Sequence, residues 1–193
     1  MASESTQRQK TGEKMTAPGR ARFVGSFERV ADLPRHGSIR EFAFIGRSNV
    51  GKSSLINAVL CANVARVSNT PGRTQSLNLF NINDKVWIMD LPGYGWARVS
   101  KDDQVRWLER LEEYLANRTE LAMLFILIDS RHGVKDIDKV ILDFVRAENI
   151  PHTLIYTKCD KKGAGKFEDG IMTSSEKGTG IDKIRKLIDI PNG

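Results

Sequence analysis

Cysteine and histidine are scarce in this 193-residue chain, and long apolar runs are missing altogether. Cys61 and Cys159 stand far apart with no paired spacing, which excludes a disulfide framework or a zinc site and fits a reducing compartment. The longest apolar run, Leu121 to Ile128, has the length of a strand and falls well short of the roughly 18 residues that cross a bilayer. Met1 to Arg22 has no apolar centre and includes Glu4 and Glu13, so it reads as neither a secretory signal nor a transit peptide. Cytoplasmic residence without a membrane partner is the expectation. His36, His132 and His152 form no constellation. Acid is in deficit overall, with a net charge of +6, but the surplus is local. Residues 1–40 hold eight Lys and Arg against four Asp and Glu, and residues 41–193 hold 22 against 20. The basic excess is therefore a feature of the leading segment, either as a solvated tail or as an arm that touches RNA phosphate.

The length suits one domain, expected over residues 22–190, behind a disordered polar tail over residues 1–21. Strand-like runs at Phe42–Ile45, Gln75–Ile82, Val86–Met89, Ala122–Ile128, Thr153–Tyr156 and Ile171–Met172 alternate with helical patterns, the mark of an α/β fold. Asn83, Asp84 and Lys85 make a tight turn, so the second and third runs form an antiparallel hairpin. The expected architecture is three-layered: a six-stranded, mostly parallel sheet with one antiparallel strand and helices on both faces. Helices are expected from Ser53 to Leu60, after a cap of Ser100 with Asp103, along Ile137, Val140, Ile141, Phe144 and Val145, and from Ile181 to Ile188. In the second of these, Val105, Leu108, Leu111 and Leu115 share a face.

The chemistry begins directly after Phe42–Ile45. Gly46-Arg47-Ser48-Asn49-Val50-Gly51-Lys52-Ser53, followed by Ser54, spells GxxxxGKS, a phosphate-binding P-loop. Two glycines let successive N–H groups curl around phosphate oxygens, and the following helix adds the partial positive charge of its N-terminus. Lys52 reaches the β- and γ-phosphates, and Ser53 offers Mg²⁺ a hydroxyl oxygen. Asp90-Leu91-Pro92-Gly93 closes the strand Val86–Met89, which puts a carboxylate suited to Mg²⁺, through water, and the Gly93 N–H at the ligand end of the sheet. Thr157-Lys158-Cys159-Asp160 ends another strand and matches the guanine-reading [N/T]KxD. A carboxylate at Asp160 accepts from guanine N1–H and N2–H₂ together, and adenine has no such donor pair. Thr173-Ser174-Ser175 suits a loop whose N–H groups meet guanine O6. Between P-loop and DxxG, Gly72, Arg73, Thr74, Gln75 and Ser76 make a loop facing the phosphates. There Thr74, with Thr70 competing, completes the Mg²⁺ shell. Lys52, Thr74 and Gly93 are the candidates for stabilising the transition state and placing water.

These residues resemble one family, the EngB (YihA/YsxC) ribosome-biogenesis GTPases of the translation-factor-related class. Its marks are GRSNVGKSSLIN from Gly46 to Asn57, TPGRTQ from Thr70 to Gln75, DLPGYG from Asp90 to Gly95 and DSRH from Asp129 to His132. The resemblance covers roughly Arg22 to Ile188. It implies a Ras-like sheet, GTP and GDP with Mg²⁺ as ligands, and a precursor of the large ribosomal subunit or its rRNA as partner, the protein acting as a monomer. Asn49 matches a residue that ligates K⁺ in some relatives, so modest K⁺ stimulation is expected. Tyr94 stands where many GTPases place the Gln that orients attacking water. Slow hydrolysis is the expectation, and a guanine-nucleotide-gated scaffold with little hydrolysis is the alternative. Arg73 is a candidate charge donor. One departure stands out: Lys161 to Asp169 reads KKGAGKFED, without an apolar stripe, so the helix that usually makes this parallel crossover is expected to be missing.

Overall fold

The computed structural model describes residues 21–35, 37–65, 76–95 and 101–190. The polar tail up to residue 20 and the loop carrying Thr70, Gly72, Arg73, Thr74 and Gln75 lie outside them, as does Ser100.

Seven strands form one sheet in the spatial order β1-β3-β4-β2-β5-β6-β7. They are β1 (Ala21–Phe27), β2 (Arg40–Gly46), β3 (Leu77–Ile82), β4 (Val86–Asp90), β5 (Leu121–Asp129), β6 (His152–Thr157) and β7 (Gly170–Met172). All six strands read from the sequence are present. β3 runs antiparallel to both neighbours, β1 and β4, and every other pair is parallel. The seventh strand, β1, lies at the edge and is held by pairing with β3, with Phe23 packed on Phe80 at 5.6 Å between ring centroids.

Among the described residues four α-helices cover the sheet: α1 (Lys52–Leu60), α2 (Lys101–Asn117), α3 (Asp136–Ala147) and α4 (Ile181–Leu187). The pleat sends alternate residues to opposite faces. Phe42, Phe44, Phe125 and Ile155 meet α1 and α4, while Ala43, Ile45, Ile126 and Tyr156 meet α2 and α3. Because both faces are covered, β2 and β5 read as continuous apolar runs rather than alternating ones.

Two expected core positions prove to be exposed: Val105, at 53%, and Val140, at 48%. On α2 the inward stripe is Trp107, Leu111, Tyr114 and Leu115; at 100° per residue, Tyr114 lies half a turn from Val105. On α3 the inward face turns toward Asp138 and Leu142, because the Asp138 carboxylate has partners inside. Buried Glu41 on β2 pairs with Arg118 just past α2 and accepts from the Tyr114 hydroxyl, so the end of α2 is fastened to the sheet. α4 is entered from Gly180, at φ +70°.

No helix joins β6 to β7. Its place over the sheet is taken by a strap with one aromatic anchor, Phe167, whose ring stacks on Tyr156 at 4.0 Å and 4°. The Tyr156 hydroxyl donates to Asp169 at 2.9 Å, and the Gly165 N–H donates to the Ser130 carbonyl at 2.8 Å.

Candidate functional site

The C-terminal ends of β2, β4, β5 and β6 converge with the start of α1, and the sequence motifs sit on those ends. β2 runs into the P-loop. A methyl group at Gly46 would lie 2.9 Å from side-chain atoms of Leu127 and Val50, so only glycine lets the chain turn this close to β5. The bend is completed by left-handed Asn49, at φ 64°, and Gly51, at φ 101°, which delivers the chain into α1 at Lys52. Val50 is buried beneath the loop, while Ser53 and Ser54 are half-buried on the first turn of α1.

The DxxG segment lies against the outer rim of that loop. Asp90 ends β4, buried, with its carboxylate paired to the Lys52 ammonium. The Leu91 N–H donates to the Phe44 carbonyl at 3.0 Å, and the Pro92 carbonyl accepts from the Trp107 indole at 3.2 Å. Gly93 sits so near the P-loop that a methyl group there would lie 3.2 Å from the Gly46 carbonyl. Tyr94 then forms a short parallel bridge with Arg47: its N–H donates to the Gly46 carbonyl at 3.2 Å and its carbonyl accepts from Ser48 at 2.9 Å. The Tyr94 side chain turns away from the P-loop into the core. Its hydroxyl donates to Asp138 at 2.6 Å and its ring tilts against Trp107 at 5.4 Å. Burial, reinforced by the Asp138 charge, pushes this phenol far above its ordinary pKa. The structure buries Tyr94, because Asp138 offers its hydroxyl an acceptor inside. Arg47 packs beside Gly95, which has φ +78°. Ser76, just before β3, places its hydroxyl 3.5 Å from the Asn78 side-chain oxygen.

The TKCD segment closes the other side. The Thr157 hydroxyl donates to the Val50 carbonyl at 2.7 Å and so ties β6 to the P-loop. Lys158 crosses the loop: its ammonium donates to the Asn49 carbonyl at 2.6 Å and to Asp129 at 3.0 Å. The Ser174 hydroxyl, and after it the Lys161 ammonium at 3.2 Å, hold the Asp160 carboxyl below its ordinary pKa, ionised and able to accept. The following loop does less with its N–H groups than the sequence suggested. Thr173 donates to the Tyr156 carbonyl at 2.7 Å and Ser174 to the Thr179 carbonyl at 3.0 Å, while Ser175 lines open space.

That space is a cavity of about 620 Å³. It is lined by Gly51 and Ser54, by Thr157, Lys158 and Asp160, and by Ser175, together with residues of α1 and the loop after it. Residues of the GxxxxGKS and TKCD segments therefore share one hollow, while Lys52, Ser53, Asp90 and Gly93 are not part of its lining. Seven lining residues were given no site role in the sequence: Asn57, whose side chain also bonds the backbone of Val64 and Ala65, then Ala58, Cys61, Ala62 and Asn63, and Lys161 and Glu176, which pair with each other. Asp129, noted only within DSRH, was likewise given no role. Its one readable signal is that it ends a strand beside the guanine motif, in register with Thr157.

The comparisons with known proteins agree with this geometry. The family model described as 50S ribosome-binding GTPase matches residues 41–158. A probable GTP-binding protein EngB of Thermotoga sp. (strain RQ2) is 43% identical over 164 residues, covering 77% of this chain and 84% of that protein. Another, of Cereibacter sphaeroides, is 38% identical over 207 residues, covering 97% and 95%. That alignment is longer than the 193 residues of this chain, so the relative has positions that this chain lacks. Among solved structures, a probable GTP-binding protein engB superposes with a TM-score of 0.61 at 23% identity, over 77% of this chain and 96% of that one, a likeness of fold. Era in complex with MgGDPNP and nucleotides 1506–1542 of 16S ribosomal RNA superposes at 0.60 and 25% identity, over 81% and 58%. With a P-loop, a DxxG and a TKCD brought to one end of one sheet, and with relatives this similar over this much of the chain, the protein belongs to the EngB family of GTP-binding proteins.

Proposed function

We propose that this protein is a slow GTPase switch acting in assembly of the large ribosomal subunit. The observation that carries the reading is the shared cavity, lined both by P-loop residues Gly51 and Ser54 and by Lys158 and Asp160. Its volume of about 620 Å³ is that of a small-molecule site. Asp160 would read guanine, Lys158 would lie along the base, and the Ser175 N–H is the best placed of its loop for O6. Lys52 would exchange Asp90 for the β- and γ-phosphates. A hydroxyl at Ser53 and a carboxylate at Asp90 form an all-oxygen donor set, which fits Mg²⁺ better than softer ions. Thr74 would join them. Mg²⁺, when bound, neutralises charge on the phosphate oxygens. Gly93, against the P-loop, is placed for its N–H to meet the γ-phosphate.

Slow hydrolysis follows from Tyr94, whose side chain is engaged by Asp138 and offers nothing to an attacking water. Placement of that water falls to backbone groups, to K⁺ near Asn49, or to a group donated by the ribosome. The large-subunit assignment is supported by the description of the matching family model, and contact with ribosomal RNA more broadly by Era, whose bound RNA is the 16S of the small subunit. The same Tyr94 contact favours the second reading, a guanine-nucleotide-gated scaffold on rRNA or a protein partner.

Titration with GDP, GTP and ATP tests the ligand. Guanine nucleotides should bind and ATP should not, and Asp160→Asn should move preference from guanine toward xanthine nucleotides by about 100-fold or more. Unchanged base preference in that variant sinks the reading of Asp160. Multiple-turnover phosphate release, run in K⁺ and in Na⁺ with and without ribosomal particles, separates switch from scaffold. Release that stays at background throughout favours the scaffold.

A further inference from the structure

We infer that Asp129 is a positioning residue for nucleotide binding, acting through Lys158 to fix the P-loop and the base-reading wall relative to each other. The inference rests on the guanine-nucleotide reading above and deepens it.

Lysine is a poor candidate for precise placement by itself, since its stem is flexible and its ammonium is indifferent to direction. Here two acceptors on different elements define its position. The Asn49 carbonyl belongs to the left-handed bend of the P-loop, and Asp129 ends β5, the strand beside β6. Between those contacts the Lys158 stem passes 3.6 Å from where a methyl group on Gly51 would sit, so it lies directly across the loop. Lys158 itself is left-handed, at φ 59°, a conformation that costs a non-glycine residue energy and persists where surroundings enforce it.

Asp129 is in turn held rigidly. Arg131 folds back on it with its backbone N–H at 3.1 Å, Nε at 2.9 Å and a terminal guanidinium nitrogen at 2.7 Å. The Asp129 carbonyl accepts from His132 and Gly133 at 3.0 and 3.1 Å, closing the turn. Burial alone would raise the carboxyl, but the bonds from Arg131 and then Lys158 outweigh it and keep Asp129 ionised well below the usual carboxylate range. The next residue, Ser130, donates its N–H to the Thr157 carbonyl at 3.0 Å, and its carbonyl receives the strap through Gly165. The turn after β5 therefore braces β6, the TKCD loop and the P-loop together. Without the Asp129 carboxylate, Lys158 keeps one carbonyl partner and loses the contact that sets its direction.

A double-mutant cycle on the full chain tests this, with GDP affinity measured by calorimetry in Mg²⁺. Asp129→Asn, nearly isosteric, should weaken GDP by about 10- to 100-fold, the scale of one charge-assisted bond. Asp129→Ala, which removes the acceptor outright, should weaken it at least as much. In a Lys158→Ala background either change should add less than about threefold. Urea midpoints without nucleotide serve as the check on folding, because a merely structural role would lower the midpoint and multiply with Lys158→Ala. Losses that multiply, or full affinity in both Asp129 variants, overturn the inference while leaving the GTPase reading intact. Wild-type protein that fails to bind GDP overturns that reading and this inference with it.

Discussion

Tyr94 shows how one residue can be legible in part. That it is not a glutamine, and has no amide with which to orient water, follows from the sequence alone. Where its ring goes does not, because the partner that draws it inward, Asp138, lies 44 residues further along. Asp138 is fully buried and also accepts from the Lys135 N–H at 2.7 Å, at the start of α3. One carboxylate therefore caps a helix and anchors the segment that follows DxxG. Tyr94→Phe keeps the packing but deprives a buried carboxylate of a donor. It should destabilise the fold by about 1–3 kcal/mol, read as a lowered urea midpoint at unchanged slope. A variant as stable as wild type would mean that the bond to Asp138 contributes nothing. The two motif carboxylates, Asp90 and Asp160, and the two lysines, Lys52 and Lys158, by contrast, were readable because their spacing is itself the chemistry.

Among the elements, the central strands were legible because a buried strand in a covered sheet is a continuous apolar run, and β2, β4 and β5 are that. β1 escaped notice for a physical reason. Its sequence, ARFVGSF, has glycine inside, leaves Phe23 and Val24 exposed at 52% and 39%, and is stabilised by non-local pairing with β3. The strap between β6 and β7 shows the reverse: the sequence signalled an absent helix but not its substitute. A single aromatic, Phe167, covers Tyr156 where a helical stripe would otherwise lie, and also contacts the Gly133 turn after β5. Phe167→Ala should therefore cost about 1–3 kcal/mol, since the ring is half-buried, and should raise hydrogen-exchange rates in residues 161–169 before the rest of the sheet. Uniform exchange across the sheet in that variant would show that the strap is held by something other than the ring.

At the scale of the whole molecule, the chain has three tyrosines, and all three solve the same problem in the same way. Tyr94, Tyr114 and Tyr156 are 3%, 0% and 1% exposed, and each hydroxyl donates to a carboxylate: Asp138, Glu41 and Asp169. Together they join α3 to the segment that follows DxxG, α2 to β2, and the strap to β6. Burial first, and the neighbouring carboxylate next, push every one of these phenols above its ordinary value. The sign of the linkage follows. The folded protein keeps its phenolic protons at a pH where the unfolded chain, with tyrosine near 10, releases them. Their contribution to stability is complete below about pH 10 and is lost as pH rises beyond it, because only the unfolded state gains from ionising. Alkaline titration followed by tyrosinate absorbance and far-ultraviolet circular dichroism should then show no phenol ionising while the fold is intact. Both signals should change together in one cooperative transition above pH 10. Three phenols titrating smoothly near pH 10 under an unchanged dichroism spectrum would show that these tyrosines meet water, and that the carboxylate contacts joining sheet to helices are not kept in solution.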